Sequence, residues 1–260
     1  MKILILAGGR GTRLGQLGEQ IVKPMIKIAG KPVLEYQVEL LKSFGLVDIT
    51  FVVGHRHDQI RSYFRDGKKW GVKINYWDKD SEIGTAGSIK VMEKELTDDF
   101  FVIYGDLLFN IDLEKMLATH QENKTKFKDV LVGTLLVQPT NHPQDCDLLE
   151  VNEDSVITNI FSKPHSAGVL CQNLNNAAIY IFTLAIFKYI ASGKTLDFGR
   201  DIFPDIVINK LGILCAHQDL GYLQDMGTPD RLAEVEADVL SGRFGKGITK
   251  TKITDFIYNP

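Results

Sequence analysis

The sequence predicts an α/β protein whose first half builds a largely parallel sheet covered on both faces. Short β-branched runs alternate there with segments of helical periodicity, the pattern of successive βαβ units. The first run, Lys2-Ile3-Leu4-Ile5-Leu6-Ala7, meets consecutive glycines at once, as at a strand end that faces a ligand. From Val130 onward strands follow one another closely, which predicts an antiparallel or mixed insertion in the same chain.

The elements follow in order. Residues 2–7 form the first strand. Residues 33–44 form a helix with apolar stripes Leu34/Val38/Leu41 and Tyr36/Leu40/Phe44, and Gly45 stands at the expected C-cap. Residues 48–53 and 72–77 are strands, with a helix at 57–64 between them. Gly84-Thr85-Ala86-Gly87 opens another helix. Residues 100–104 are a buried strand ending at Gly105-Asp106, and Asp112 can cap a helix whose inner face is Leu113, Met116, Leu117 and His120. Strands are expected at 130–137, 148–152, 156–162 and 175–182. Thr228 caps a helix beginning at Pro229, with Leu232, Val235 and Val239 on one face. Residues 241–260 are rich in Gly and Lys and lose periodicity. They read as a tail or linker, and truncation after Leu240 is expected to be tolerated.

The bulk numbers narrow the classes. The chain has 260 residues, 44 % hydrophobic and 24 % charged, enough for a substantial core. A net charge of −3 gives no general attraction to nucleic acid or anionic membrane, so any phosphate binding is local. Cys146, Cys171 and Cys215 are scattered, which argues against a disulfide framework or a thiolate zinc site. The apolar start is too short for a signal peptide or a membrane span, so a soluble cytoplasmic protein is expected. His55 and His57 lack a third ligand and read as loop residues.

The chemistry concentrates after the first strand, in Leu6-Ala7-Gly8-Gly9-Arg10-Gly11-Thr12-Arg13-Leu14. Consecutive glycines let backbone N–H groups approach a phosphate chain, and Arg13 adds a planar fork of donors for phosphate oxygens. The loop lacks the Lys-Ser/Thr ending of a P-loop. Leu14 stands where a dinucleotide fingerprint needs its third glycine, which disfavours an NAD-dependent dehydrogenase. Val22-Lys23-Pro24-Met25 and Gly30-Lys31-Pro32 follow.

Taken together, Leu-Ala-Gly-Gly-x-Gly-Thr-Arg-Leu, Lys-Pro-Met and Gly-Lys-Pro closely resemble the signature of the sugar-1-phosphate nucleotidyltransferases, with further matches in order to about residue 241. The resemblance implies a Rossmann-like, doubly wound, mostly parallel mixed sheet with an inserted antiparallel sugar-binding lid over residues 1–240. It implies a reaction between a nucleoside triphosphate and a sugar 1-phosphate, dependent on Mg²⁺. Arg13 and Lys23 would be the catalytic cations. Leu6, Ala7, Gly8, Gly9, Gly11, Thr12, Gly84, Thr85 and Gly105 would join them in nucleotide binding. Asp106, in Tyr104-Gly105-Asp106, and Asp225, in Asp225-Met226-Gly227-Thr228-Pro229, would hold the metal, repelling each other in its absence. Glu150, Lys163 and Asn176 would bind the sugar phosphate. Two departures are visible: Val22 stands where the family usually has proline, and Ser162 replaces the glutamate of Phe-x-Glu-Lys-Pro; Asn176-Ala177-Ala178-Ile179-Tyr180 matches the family's Asn-Ala-Gly-Ile-Tyr strand.

In the second half, His142-Pro143-Gln144-Asp145, Lys163-Pro164-His165 and the segments 173–178 and 197–204 look like the D-glycero-D-manno-heptose-1-phosphate guanylyltransferase branch, near the mannose-1-phosphate guanylyltransferases. This implies GTP and a role in surface polysaccharides such as lipopolysaccharide or capsule; guanine needs an acceptor for its N1–H and N2–H₂ donors, which Asp80 or Glu82, just before Gly84, could supply. The alternatives are mannose 1-phosphate as substrate, a glucose-1-phosphate thymidylyl- or uridylyltransferase, and a non-catalytic subunit that binds sugar nucleotides. Homo-oligomers are common in the family; no nucleic-acid or membrane partner is expected.

Overall fold

The computed structural model describes residues 1–9, 11, 14–54, 56–78, 83–165, 170–245 and 257–258. The chain divides into two compact units, each assembled from separate stretches of sequence. Met1–Ser81, Phe101–Leu113 and Leu220–Thr249 form the first; Glu82–Phe100, Glu114–Asp219 and Lys250–Pro260 form the second.

Along the chain, the first unit begins with β1 (Lys2–Leu6), α1 (Gln16–Gln20), the short strands β2 (Lys27–Ile28) and β3 (Lys31–Pro32), α2 (Val33–Ser43), β4 (Asp48–Val53), α3 (Asp58–Phe64) and β5 (Lys73–Asp78). After α4 (Gly84–Lys90), β6 (Phe100–Tyr104) and β7 (Leu107–Asn110) return to it. The second unit continues with α5 (Leu113–Phe127), β8 (Leu131–Gln138), β9 (Leu148–Val151), β10 (Ile157–Phe161), β11 (Cys171–Gln172), β12 (Asn175–Phe182), α6 (Phe203–Ile208) and β13 (Ile213–Gln218). The chain then returns to the first unit for β14 (Tyr222–Asp225) and α7 (Pro229–Leu240), and β15 (Ile257–Tyr258) belongs to the second.

In the first unit β1 pairs in parallel with β4 and β4 with β5, while β6 lies on the other side of β1. Ile3, Leu4, Ile5, Phe51 and Val53 are wholly buried. Consecutive buried residues on a strand mean that both faces are covered, so the expected parallel sheet is present. A second apolar cluster joins Ile28, Val33, Leu108, Tyr222, Met226 and Val235, with Tyr36, Leu232, Val239 and Phe244 packed against it. It fixes α2 and α7 against the antiparallel pair β7–β14.

The second unit is the mixed insertion that the strand spacing predicts. β10, β9, β12 and β8 are neighbours in that order and antiparallel, and β13 joins β8 in parallel. Its core includes Tyr180, Phe182, Phe198 and Phe203 in mutual ring contact. Helix α5 buries Leu113, Met116 and His120, as its periodicity predicts. His120 Nδ1 lies 3.0 Å from Thr134 Oγ1 and its Nε2 3.3 Å from Asp99 Oδ2, which also accepts from Lys124 at 2.6 Å.

The tail departs from expectation. Asn110 donates to Phe244 O at 3.2 Å, and the Phe244 ring packs edge-on against Tyr36 and Tyr222 at 5.6 and 5.3 Å. Further on, Ile257–Tyr258 pairs with Cys171–Gln172. The chain after Leu240 therefore contributes to both units. Composition hid this, because Phe244 stands among glycines and basic residues and leaves no periodic signal. Truncation after Leu240 is now expected to cost about 2 kcal/mol through the lost Phe244 contacts, lowering the melting temperature by roughly 4–8 °C. Differential scanning calorimetry of the truncated chain checks this.

Burial opposes ionisation of Asp99, but its hydrogen bonds from His120 and Lys124 outweigh that and hold its carboxyl below the usual range. A carboxyl depressed by folding stabilises the protein above its unfolded pKa, and that contribution is lost as pH falls through the folded value. Stability should therefore decline below about pH 4. Asp99→Asn should cost about 2 kcal/mol at neutral pH and flatten the acid decline. Urea midpoints measured from pH 7 to pH 3 for both proteins test the sign.

Candidate active site

In the first unit the glycine loop leaves β1 where that strand is held on both sides. Ala7 N donates to Val52 O at 2.9 Å, and Gly105 N donates to Leu6 O at 3.1 Å. The second bond sets the Gly105-Asp106 turn beside the root of the loop. Gly11 has a φ of +64°, and Leu14 N closes a turn on Gly11 O at 3.0 Å. Helix α1 packs so closely that a β-carbon at Gly18 would stand 2.2 Å from Gly11 O, which excludes any larger residue there. Leu6, Ala7, Gly8, Gly9 and Gly11 are thus gathered at one strand end. Thr12 and Arg13 lie outside the described residues, as do Asp80 and Glu82.

Lys23 opens a short 3₁₀ turn ahead of Pro24 and is 7 % exposed; its ammonium pairs with Asp106 Oδ2. The departure at Val22 has a physical counterpart. Val22 N donates to Gln59 Oε1 at 3.1 Å, and Gln59 Nε2 donates to Gln20 O at 2.8 Å. A proline at 22 would lack that N–H, so Gln59 of α3 supplies the restraint that proline would give through its ring.

Asp225 enters from β14. Leu107, directly after Asp106, is its register partner, so the ladder anchors the two aspartates on adjacent backbone. Asp225 Oδ1 accepts from Gly227 N at 2.7 Å and Oδ2 from Arg231 Nη1 at 2.7 Å. The expected repulsion between the aspartates is therefore corrected: each already has a cation, Lys23 for Asp106 and Arg231 for Asp225. Both carboxylates remain partly exposed. No group of three or more His, Cys, Asp or Glu gathers among the described residues. Two partly exposed carboxylates are hard oxygen donors of the kind that Mg²⁺ takes, an ion that keeps much of its hydration.

In the second unit Gly84 has a φ of +74°, and a β-carbon there would stand 2.3 Å from Leu196 O. Thr85 donates through both N and Oγ1 to Asp197 Oδ1, at 2.9 and 3.1 Å, and its hydroxyl accepts from Phe198 N at 3.0 Å. Ala86 N and Gly87 N donate to Leu196 O. The first turn of α4 is thus tied to the segment around Asp197.

Lys163 and Asn176 converge on Asp147. Lys163 N donates to Asp147 Oδ1 at 3.2 Å and Asn176 N to Asp147 O at 3.0 Å, while Lys163 Nζ donates to Asp145 O at 2.6 Å. Glu150 lies on β9 opposite Asn159, and its carboxylate contributes to raising the Cys171 thiol, though burial contributes more. Ser162 is exposed. The His57 ring turns to Gly54 O at 3.1 Å, and His55 lies outside the described residues.

A family model described as Nucleotidyl transferase matches residues 2–242. The chain belongs to that family. It is 33 % identical over 88 % of its length to the UTP–glucose-1-phosphate uridylyltransferase of Synechocystis sp., of which it covers 61 %. It is 31 % identical, again over 88 % of its length, to the mannose-1-phosphate guanylyltransferase catalytic subunit beta of Danio rerio, of which it covers 62 %. The chain thus spans less than two thirds of the curated relatives it matches. Its fold is similar to that of HddC from Yersinia pseudotuberculosis complexed with GMP-PN, with a TM-score of 0.72 at 24 % identity over 92 % of this chain and 99 % of that one.

Sequence reasoning missed Gln59, Asp147 and Arg231, and met Asp197 only as part of the 197–204 resemblance, because polar residues that act on backbone or on other side chains carry no spacing signal. The family resemblance does explain one oddity in the nucleotidyl transferase fold here. Ala178, in place of glycine, has a φ of +57° in a bulge of β12 between Asn176 and Tyr180. An L-residue is strained in that region. Ala178→Gly should therefore raise stability by about 0.5–1 kcal/mol, net of the greater unfolded-state freedom of glycine. A chemical-denaturation curve on the purified variant decides the sign.

Proposed function

We propose that this chain transfers a nucleoside monophosphate from its triphosphate to a sugar 1-phosphate, releasing pyrophosphate. The observation that carries this is the β7–β14 register, which anchors Asp106 and Asp225 on adjacent backbone in the unit that also holds the glycine loop and Lys23. A sugar phosphate oxygen is already anionic, so no strong general base is required. It forms the new bond to the α-phosphorus in line, and the bond to the bridging oxygen breaks with its electron pair leaving on pyrophosphate. Lys23 and Arg13 would neutralise charge at the α-phosphate, and the glycine-loop N–H groups would orient the triphosphate. Mg²⁺ held by Asp106 and Asp225 would supply charge neutralisation at the phosphate oxygens. In the second unit, Lys163, Asn176 and Glu150 would bind the sugar phosphate, and Gly84 and Thr85 would line the nucleotide side.

For the finer assignment, GTP with manno-configured heptose 1-phosphate is the favoured pair, and mannose 1-phosphate the weaker substrate. Its support is the likeness of residues 142–145, 163–165, 173–178 and 197–204 to that branch, together with guanylyltransferases among the relatives. The identity to the Synechocystis uridylyltransferase favours a second reading, UTP with glucose 1-phosphate.

Pyrophosphate release across GTP, ATP, CTP, UTP and dTTP with each sugar phosphate separates the two, and absence of turnover with every pair would sink the enzymatic reading. Asp106→Asn and Asp225→Asn should each lower kcat by about 100-fold, the equivalent of roughly 3 kcal/mol in the transition state. Asp106→Asn should also lose stability, because it leaves the buried Lys23 ammonium without its counter-charge. Near-normal turnover in both variants at saturating Mg²⁺ would remove the metal assignment.

A further inference from the structure

Among the buried positions of α2 (Val33, Leu34, Gln37, Val38 and Leu41), the pattern calls for an apolar side chain at every one. Gln37 breaks it, at 1 % exposure. A buried amide costs free energy unless its hydrogen-bonding capacity is used. Here Nε2 uses both of its protons. It donates to Tyr104 O at 3.0 Å and to Leu107 O at 2.7 Å, the two carbonyls that bracket Gly105-Asp106. Its Oε1 is buried without a hydrogen-bond partner. The helix therefore accepts the cost of an unsatisfied oxygen to place two donors across this one turn.

We propose that Gln37 is a positioning residue for Asp106, bracing the backbone on both sides of the carboxylate so that it is presented to the divalent cation. The inference rests on the proposed metal role of Asp106. The brace acts where the two aspartates meet, because Leu107, whose carbonyl it holds, is the register partner of Asp225. Lys23 restrains the Asp106 side chain, whereas Gln37 restrains the peptide units that flank the Gly105–Leu107 segment carrying it. When a cation draws the carboxylate away from Lys23, the backbone brace persists. Gln37 touches neither substrate nor cation in this role; it limits the orientations open to the aspartate.

The test is a double-mutant cycle on cation affinity, with Mn²⁺ as the probe because it takes the same oxygen ligands as Mg²⁺ and its free form is read by electron paramagnetic resonance. Gln37→Met keeps the length and removes both donors. It should weaken Mn²⁺ binding about ten-fold and raise the Mn²⁺ activation constant in parallel, with the KM for sugar phosphate unchanged. Adding Gln37→Met to Asp106→Asn should then weaken Mn²⁺ binding no further. Unchanged Mn²⁺ affinity in Gln37→Met would overturn the proposal, as would an equal loss in both backgrounds, which would mark a general effect on the fold. If Asp106→Asn binds Mn²⁺ as the wild type does, or the wild type binds none, the metal assignment itself fails and the role of Gln37 goes with it. If Gln37→Met does not fold, Gln37→Asn, whose shorter amide cannot span both carbonyls, takes its place in the same cycle.

Discussion

Leu107 through Asn110 pair with Tyr222 through Asp225 across the longest sequence gap in the first unit, and the candidate site has no second carboxylate without that ladder. Closing so long a loop costs entropy, although the cost grows only slowly with length. What offsets it is apolar: Leu108 and Tyr222 are buried from the ladder itself, and Ile28, Val33, Met226 and Val235 close around them. The cluster that stabilises the pair therefore also fixes where Asp106 and Asp225 stand. A change that loosens Met226 or Val235 would be felt in the placement of the two aspartates as well as in the core.

The charges near that ladder are compensated locally. Lys23 is nearly buried and answered by Asp106, and Arg231 answers Asp225. Such pairing keeps two acids tolerable on neighbouring backbone before any cation or phosphate arrives. In the proposed metal role, an incoming cation would exchange one set of charge partners for another.

Much of this was legible in the residues. Strands with several β-branched or aromatic residues fall at or within two residues of their expected bounds, and Thr228 caps α7 through its hydroxyl as its place before Pro229 predicts. The sheet of the first unit and the mixed insertion follow from the same spacing, and the family follows from the glycine loop with Lys23. What escaped were the strands β7, β13 and β14, each with a single β-branched or aromatic residue to signal it, and contacts made by single residues against the local pattern. Gln37 sits in an apolar stripe, Gln59 compensates for Val22, Asp147 gathers Lys163 and Asn176, and Phe244 lies in a stretch that composition assigns to a linker. Each depends on a partner far away in sequence, which periodicity does not encode.

The first unit is discontinuous: β1, β4 and β5 come from the first stretch of sequence, β7 from the second, and β14 with Asp225 from the third. On a ribosome the chain emerges in order, at about 5–20 residues per second. Asp106 is thus synthesised on the order of ten seconds before Asp225, with most of the second unit between them. During that interval β7 has no partner strand, and Leu108 has none of its neighbours from β14 and α7. The second unit can assemble in this time, since nearly all of its sequence precedes Leu220. Completion of the acidic pair thus comes late relative to the rest of the candidate site, and a nascent chain carries the glycine loop and Lys23 well before it has both of the aspartates proposed to hold a divalent cation.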